Sequence, residues 1–192
     1  MKRYVIGITG ASGSIYGKRI IEEISKTGNE TELVFTKNGK DVFLYETGYD
    51  IENFTDELCK NGAKININSN NDLFSSIASG SYKFEAMIIV PCSMGTLAKI
   101  SYGISDSLIC RAADVTLKEK RKLIIVPRET PLSEIHIENM LRLSRAGAVI
   151  IPPVPSFYGR PSTVEDIVNN TVGRIMYSAG IENKLYTEWG EK

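Results

Sequence analysis

Three glycines and a serine stand where a short apolar run gives way to a helical pattern, in Gly7-Ile-Thr-Gly-Ala-Ser-Gly13. The unpaired N–H groups and the positive dipole of a helix N-terminus attract anions, and glycines let a phosphate approach the main chain. Ser12 is a candidate N-cap whose hydroxyl remains available. The stretch predicts a site for a nucleotide or another phosphorylated cofactor, although a tight turn without a ligand gives the same pattern.

The spacing of these glycines excludes two well-known phosphate motifs. The dinucleotide fingerprint needs G-x-G-x-x-G, whereas Gly7, Gly10 and Gly13 lie three residues apart. A Walker A loop ending at Gly17-Lys18 would need a glycine where Ser12 stands. A phosphate at this turn would therefore be bound in another way.

A second candidate turn follows another apolar run, in Pro91-Cys-Ser-Met-Gly-Thr-Leu-Ala98. Proline cannot continue the hydrogen-bond ladder of a strand, so the strand is predicted to end at Pro91. Ser93 can cap the next helix, and Gly95 and Thr96 leave its first turn open and polar. Two such turns at neighbouring strand ends predict a ligand with both a phosphate and a flat ring.

Charged residues follow several of the predicted strands. Arg128 and Glu129 stand between two prolines, and a charged pair held in a stiff turn favours function over simple solvation. Arg111 and Lys118 are seven residues apart and share one helix face, either as a salt-bridged surface or as a cationic wall for an anionic substrate. Glu46 is either a solvated surface residue or a functional one, and its immediate sequence does not distinguish the two.

The apolar runs predict the scaffold that positions these residues. They alternate with segments of helical spacing and lie at Tyr4–Ile8, Leu33–Phe35, Ala86–Val90, Leu123–Val126 and Ala148–Ile151. This alternation predicts an α/β fold with a doubly wound parallel sheet, Rossmann- or flavodoxin-like, in a single domain over residues 1–192. Ligands of such sheets bind at the carboxyl ends of the strands, where the segments above lie.

Residues 50–82 carry a weaker pattern. It contains a helix over Glu52–Lys60, a short strand over Lys64–Ile67 and the polar run Asn68-Ser-Asn-Asn-Asp72. No functional role is assigned to residues 62–82.

The composition narrows the classes of function. The 192 residues include 23 basic and 23 acidic side chains, so zero net charge gives no general attraction to nucleic acid or membrane. Cys59, Cys92 and Cys110 lack the spacing of a zinc site and fit a reducing compartment. No signal peptide or membrane-spanning segment is predicted, and the chain is expected in the cytoplasm, without a bound metal.

Taken together, these segments resemble the UbiX-type flavin prenyltransferases, within the homo-oligomeric flavin-containing cysteine decarboxylase superfamily. The matching stretches span nearly the whole chain: Gly7-Ile-Thr-Gly-Ala-Ser-Gly13, Pro91-Cys-Ser-Met-Gly-Thr-Leu-Ala-Lys99, Gly103-Ile-Ser-Asp106, Arg111-Ala-Ala-Asp-Val115, Leu117-Lys-Glu-Lys-Arg121, Arg128-Glu-Thr-Pro131 and Pro152-Pro-Val-Pro-Ser-Phe-Tyr158. The resemblance implies metal-independent transfer of a dimethylallyl group from dimethylallyl monophosphate to N5 and C6 of reduced FMN. The product, prenylated FMN, would serve a UbiD-type decarboxylase.

The resemblance also implies the residues of the site. Those that would hold FMN are Gly10, Ala11, Ser12, Thr36, Ser93, Met94, Gly95, Thr96 and Arg128. Those that would hold the substrate phosphate are Arg111, Lys118, Arg128, Tyr158 and Arg174. Ser12, Glu46 and Glu129 would be catalytic, the two glutamates by handling protons. The sites would be shared between subunits of a homododecamer assembled from trimers.

Three other functions are weighed against this one. A flavin-dependent cysteine decarboxylase of the same fold would use an early histidine and a P-x-M-N motif, whereas this chain has only His136 and Pro91-Cys-Ser-Met94. A flavin-binding or electron-carrier module would not need a second anion site. A nucleic-acid-binding domain using the basic residues of 118–128 would show affinity that falls steeply with salt.

Overall fold

The computed structural model describes residues 1–186 and contains one six-stranded sheet. The strands are β1 (Arg3–Ile8), β2 (Glu30–Phe35), β3 (Lys64–Ser69), β4 (Ala86–Cys92), β5 (Lys122–Pro127) and β6 (Val149–Ile150). All neighbouring pairs are parallel, in the order β3-β2-β1-β4-β5-β6. The chain reverses its direction of winding between β1 and β4, which creates a crevice at their carboxyl ends.

Helices connect the strands and cover both faces of the sheet. They are α1 (Ser14–Ser25), α2 (Lys37–Thr47), α3 (Ile51–Lys60), α4 (Met94–Ser101), α5 (Leu108–Lys118), α6 (Glu134–Arg145) and α7 (Val164–Ala179), with a short 3₁₀ turn at Ser76–Ala78. Within residues 1–186, no helix has both the length and the apolar character that a bilayer crossing requires.

The strands are apolar on both faces because each face builds a separate core. In β4, Ile88 and Val90 pack in one core with residues of α1 and α7, whereas Met87 and Ile89 pack in the other with residues of α4 and α5. This alternation explains the continuous apolar runs of the sequence. The predicted fold class, a doubly wound parallel α/β sheet, is confirmed.

Glycine at position 17 allows α1 to lie against the sheet. A Cβ atom at Gly17 would stand 2.7 Å from the carbonyl oxygen of Val90, closer than real contacts allow. The same helix buries Ile20, Ile21 and Ile24 completely. The small residue and the apolar stripe together fix α1 on β4, and with it the glycine turn that precedes the helix.

The prediction that the strand ends at Pro91 is wrong by one residue. β4 continues through Pro91 to Cys92, and its register against β5 shifts between Ile89 and Cys92. Proline lacks an N–H group but keeps its carbonyl, and the Pro91 oxygen accepts from the backbone N–H of Thr9 at 3.2 Å. The irregular pairing therefore accommodates the absence of an N–H donor at Pro91. The next helix starts at the carboxyl edge of the sheet.

Candidate functional site

An open pocket of about 420 Å³ lies at the carboxyl edge of the sheet, beside the ends of β1, β2, β3 and β4. Its lining residues come from the turn after β1, the segment after β3 and the starts of three helices. They are Gly10, Thr36, Lys37, Asn38, Asn70, Ser93, Gly95, Thr96, Lys99, Ser107, Ile109 and Cys110. Gly10, Thr36, Ser93, Gly95 and Thr96 are among the residues predicted to hold FMN.

The pocket offers hydrogen-bond donors from the N-termini of α2 and α4. Thr36 caps α2 by accepting from the N–H of Gly39 at 2.9 Å, and Ser93 caps α4 by accepting from the N–H of Thr96 at 3.3 Å. The N–H groups that precede Gly39 and Thr96 in the first turns of α2 and α4 have no hydrogen-bond partner among the described residues. They belong to Lys37, Asn38, Met94 and Gly95. Such groups fit a phosphate or another oxyanion.

The turn after β1 needs glycine because α2 lies directly against it. A Cβ atom at Gly10 would stand 2.6 Å from the Cβ of Asn38. Any larger residue would push the start of α2 away from the turn. Gly95 differs, since a Cβ atom there would meet nothing within 4 Å, so its backbone faces open space in the pocket.

Thr9 positions the second turn, and sequence reasoning gave it no role. Its side chain is fully buried, donates to the Pro91 carbonyl at 2.9 Å and accepts from the N–H of Ser93 at 2.7 Å. One hydroxyl therefore ties the end of β1 to the start of α4. Its position between Gly7 and Gly10 is the only feature of the sequence that could have pointed to this role.

Glu46 occupies the N-terminus of α1. One of its carboxylate oxygens accepts from the N–H groups of Gly13 at 2.9 Å and Ser14 at 2.7 Å. These two N–H groups are therefore not available to a phosphate, because a carboxylate of the same chain already binds them. The predicted contacts of Gly10, Ala11 and Ser12 with FMN stay a prediction. Burial alone would raise the pKa of Glu46, but hydrogen bonds from the Ser12 hydroxyl and these N–H groups outweigh it, so the pKa is lowered.

Substituting Glu46 by glutamine should make stability less dependent on pH. We expect a loss of about 0.5 kcal/mol in the free energy of unfolding at pH 7, at the lower end of helix-terminus effects because the side chain is partly exposed. The folded-state pKa lies below 4.5, so the stabilisation is complete above that pH and is lost as pH falls through the folded value. Denaturant unfolding of wild type and Glu46→Gln at pH 7 and pH 4 would measure the loss of stability and its dependence on pH.

Glu57→Gln is the matched control, since Glu57 is an exposed helical glutamate whose carboxylate makes no hydrogen bond or ion pair within residues 1–186. It should leave stability unchanged at both pH values. If the gap between wild type and Glu46→Gln grows rather than shrinks towards acid pH, the assigned role of the carboxylate is incorrect.

Arg128 and Glu129 follow β5, next to the end of β4. The N–H of Arg128 donates to the carbonyl of Cys92 at 3.2 Å, and both side chains are exposed. One oxygen of Glu129 accepts from the N–H of Thr130 at 2.9 Å, which orients the carboxylate. The pair is thus held at the carboxyl edge of the sheet, as predicted from its two flanking prolines.

None of the five residues predicted for the substrate phosphate lines the pocket of its own chain, and Arg128, described above, is one of them. Arg111 donates to the Ala78 carbonyl and pairs with Asp114 at 2.8 Å. Arg174 lies exposed on α7 near two tyrosine rings, and Tyr158 lies in the segment before that helix. Lys118 ends α5, about 12 Å along the helix from the pocket residues at its start, and pairs with Glu119 at 2.6 Å.

The described residues contain no group of three histidine, cysteine, aspartate or glutamate side chains arranged to hold a metal ion. Cys92 and Cys110 are both buried and unpaired, and burial raises the pKa of each thiol. Cys110 lines the pocket as a neutral apolar group.

Comparison with known proteins gives consistent matches over the full chain. The flavoprotein family model matches residues 1–176. The flavin prenyltransferase UbiX of Halalkalibacterium halodurans is 48% identical, over 98% of this chain and 94% of the relative. AnUbiX, solved in complex with FMN and dimethylallyl pyrophosphate, superposes with a TM-score of 0.93 at 41% identity, covering 100% of this chain and 98% of that one.

A second solved structure carries information on assembly. It is a dodecameric FMN-dependent UbiX-like decarboxylase from Escherichia coli O157:H7. It superposes with a TM-score of 0.92 at 42% identity, over 98% of this chain and 100% of the other.

Proposed function

The chain belongs to the flavoprotein family and, within it, to the UbiX-type flavin prenyltransferases, and we propose that it transfers a dimethylallyl group from dimethylallyl monophosphate to reduced FMN. The membership expected from the sequence motifs is confirmed. One structural observation carries the proposal: five of the nine residues expected to hold FMN line the pocket at the switch point of the sheet, together with unpaired N–H groups. The product would be FMN prenylated at N5 and C6.

The donor set of the pocket fits FMN. The hydroxyls of Thr36, Ser93 and Thr96 and the free N–H groups of the α2 and α4 first turns suit a phosphate and polar ring atoms. Gly10 and Gly95 also line the pocket, and Ala11, Ser12, Met94 and Arg128 complete the proposed flavin set. When bound and reduced, FMN supplies the nucleophilic N5 and C6 positions. The protein holds it at the sheet edge, where these donors converge.

The basic residues outside the pocket would act on the substrate phosphate. Breaking the allylic C–O bond of dimethylallyl monophosphate releases inorganic phosphate, and cations placed around that phosphate stabilise the charge that develops on it. Lys118 and Arg174 are exposed and suited to this role, and Arg174 can bind two phosphate oxygens at once. Tyr158 and Arg128 would add donors. Arg111 has fewer donors to offer because Asp114 and Ala78 engage part of its guanidinium.

Two carboxylates would move protons. Glu46 accepts a hydrogen bond from the Ser12 hydroxyl, and its lowered pKa keeps it ionised near neutral pH. It can therefore hold Ser12 as a donor or accept a proton through it. Glu129 is exposed at the sheet edge and would accept the proton that C6 loses after the carbon–carbon bond forms there.

The dispersed phosphate residues support an oligomer with shared sites. Lys118 and Arg174 do not line the pocket of their own chain within residues 1–186, so a neighbouring subunit would have to supply them. We propose a homododecamer assembled from trimers, and the Escherichia coli relative is dodecameric. We further propose a cytoplasmic location, in keeping with three unpaired cysteines, and a UbiD-type decarboxylase as the recipient of the product.

The rival functions make different predictions for one anaerobic titration. Protein with reduced FMN would receive dimethylallyl monophosphate in one sample with EDTA and in a parallel sample with Mg²⁺. A third sample would receive dimethylallyl pyrophosphate in place of the monophosphate. We expect a change in the flavin spectrum at the same rate with EDTA and with Mg²⁺. No spectral change would indicate a flavin-binding module, and turnover that needs Mg²⁺ would contradict fixed side-chain cations as the phosphate site.

A further inference from the structure

Asn70 lines the flavin pocket from a segment to which the sequence assigned no role. It directly follows β3, whose carboxyl end lies at the same edge as the turns already described. Its side chain is half-buried. We propose that Asn70 is a further cofactor-binding residue, which closes the N-terminus of α5 and donates a hydrogen bond from Nδ2 to the phosphate of FMN.

Asn70 acts as a distant cap for α5. Ser107 stands at the N-cap position of that helix, but its side chain makes no capping hydrogen bond. Instead, the carbonyl of Asn70 accepts from the N–H of Leu108 at 2.8 Å, and its Oδ1 accepts from the N–H of Ile109 at 3.1 Å. The donors of this helix start are therefore used within the chain.

The helix N-termini at this edge of the sheet differ in whether their N–H groups already have a partner within the chain. Glu46 fills the N-terminus of α1, and Asn70 fills that of α5. The first turns of α2 and α4 keep free N–H groups. The Lys37 ammonium, exposed beside them, makes no ion pair within residues 1–186, whereas Lys99 is paired with Asp106 at 2.7 Å. An anion is therefore directed to the α2 side of the pocket.

The geometry of Asn70 leaves one donor available on that side. Because Oδ1 accepts from Ile109, Nδ2 is the remaining polar atom of the amide, and it has no hydrogen-bond partner in the described chain. A half-buried amide donor in an otherwise polar pocket is best satisfied by the ligand. Together with Lys37 and the free N–H groups, it would complete the contacts of the phosphate.

A partly buried polar network holds the segment around Asn70 in place. Asn68 donates to the carboxylate of Glu32 at 2.8 Å, and Ser75 donates to Asn68 at 2.6 Å. The hydroxyl of Tyr82 donates to the same carboxylate at 2.6 Å. Burial and this hydrogen bond raise the pKa of Tyr82 to about 12, so the hydroxyl remains a donor. Asn70 is thus presented to the pocket by a segment that these hydrogen bonds hold to the sheet.

Asn70→Asp separates the two roles of the residue. Aspartate keeps the acceptor oxygen for Ile109 and caps a helix at least as well as asparagine, so the thermal midpoint should stay unchanged. It removes the Nδ2 donor and adds a negative charge beside the phosphate. We expect affinity for FMN to fall at least about tenfold. Affinity for riboflavin, which has no phosphate, should stay within about twofold.

Two further variants complete the experiment. Asn71→Asp places the same charge one residue away, outside the pocket lining, and should bind FMN like wild type. Asn70→Ala loses the cap and the donor, so we expect a lower thermal midpoint and an FMN-to-riboflavin affinity ratio reduced about fivefold. This ratio does not depend on the fraction of folded protein.

The inference rests on the proposed function, and the titrations distinguish their failures. Wild-type protein that binds neither flavin would overturn both. Wild-type binding with unchanged FMN affinity in Asn70→Asp would overturn the role of Asn70 alone. An equal loss of FMN and riboflavin in that variant would also overturn it, because a phosphate contact cannot affect riboflavin.

Discussion

Replacing Arg174 by methionine is expected to lower kcat/KM for dimethylallyl monophosphate by about 100- to 1,000-fold while the purified protein keeps its FMN. Arg174 lies exposed on α7, away from the pocket lining of its own chain, so its loss removes no contact to the flavin there. Its guanidinium would bind the departing phosphate bidentately, and the charge on that phosphate grows as the C–O bond breaks. Methionine keeps most of the apolar stem and removes the charge.

The matched control is Arg145→Met. Arg145 is an exposed arginine in the last turn of α6 and makes no hydrogen bond or ion pair through its side chain within residues 1–186. Its kcat/KM and flavin content should match those of wild type. Loss of FMN together with activity in Arg174→Met would show that this side chain belongs to the flavin site, and the proposed division between two anion sites would be wrong.

Two inactive variants are expected to restore each other's activity when they assemble in one oligomer. Lys118→Ala removes a phosphate contact and Glu46→Gln removes a proton-handling group, and each alone should lose about 100-fold in kcat. Lys118 stands about 12 Å along α5 from the pocket residues, so a neighbouring chain would supply it. With random assembly after co-expression, roughly a quarter of the sites would contain both intact residues.

Wild type co-expressed with the double variant Lys118→Ala/Glu46→Gln provides the matched comparison. Shared sites again leave roughly a quarter intact, whereas sites built within one chain would leave roughly half. Sites built within one chain would also give no recovery at all from the two single variants. Equal activity in the two mixtures is therefore the signature of shared sites, and a clear difference would contradict them.

The sequence predicts the fold well because its strongest signals are local. Apolar runs that alternate with amphipathic segments determine a doubly wound sheet, and the strands lie within a few residues of their predicted ends. The exceptions have physical causes. β3 contains alternating polar residues because it is an edge strand, so Lys64–Ile67 captures only part of it. Pro91 stays in β4 because only its N–H is missing.

The site is less predictable because its key contacts join residues far apart in the chain. The glycine turn indicates an anion at α1, but only the fold shows that Glu46, 33 residues from Gly13, supplies it. Thr9 and Asn70 carry no pattern that distinguishes them from an ordinary threonine and asparagine. Their roles arise from hydrogen bonds to Pro91 and Ile109, which depend on the order of the strands.

The residues proposed to bind the substrate phosphate show what sequence motifs do not specify. The likeness of motifs to a family assigns Lys118 and Arg174 to a site, but it does not say which chain of an oligomer supplies them. Their positions on α5 and α7, away from the pocket lining, turn the predicted sharing between subunits into a requirement of the proposed mechanism.

The most direct test is mass analysis of the flavin released after anaerobic incubation of the protein with reduced FMN and dimethylallyl monophosphate in EDTA. The proposed function predicts a flavin heavier than FMN by one five-carbon prenyl unit, with one inorganic phosphate released for each flavin converted. Recovery of unmodified FMN, with no phosphate released, would contradict it.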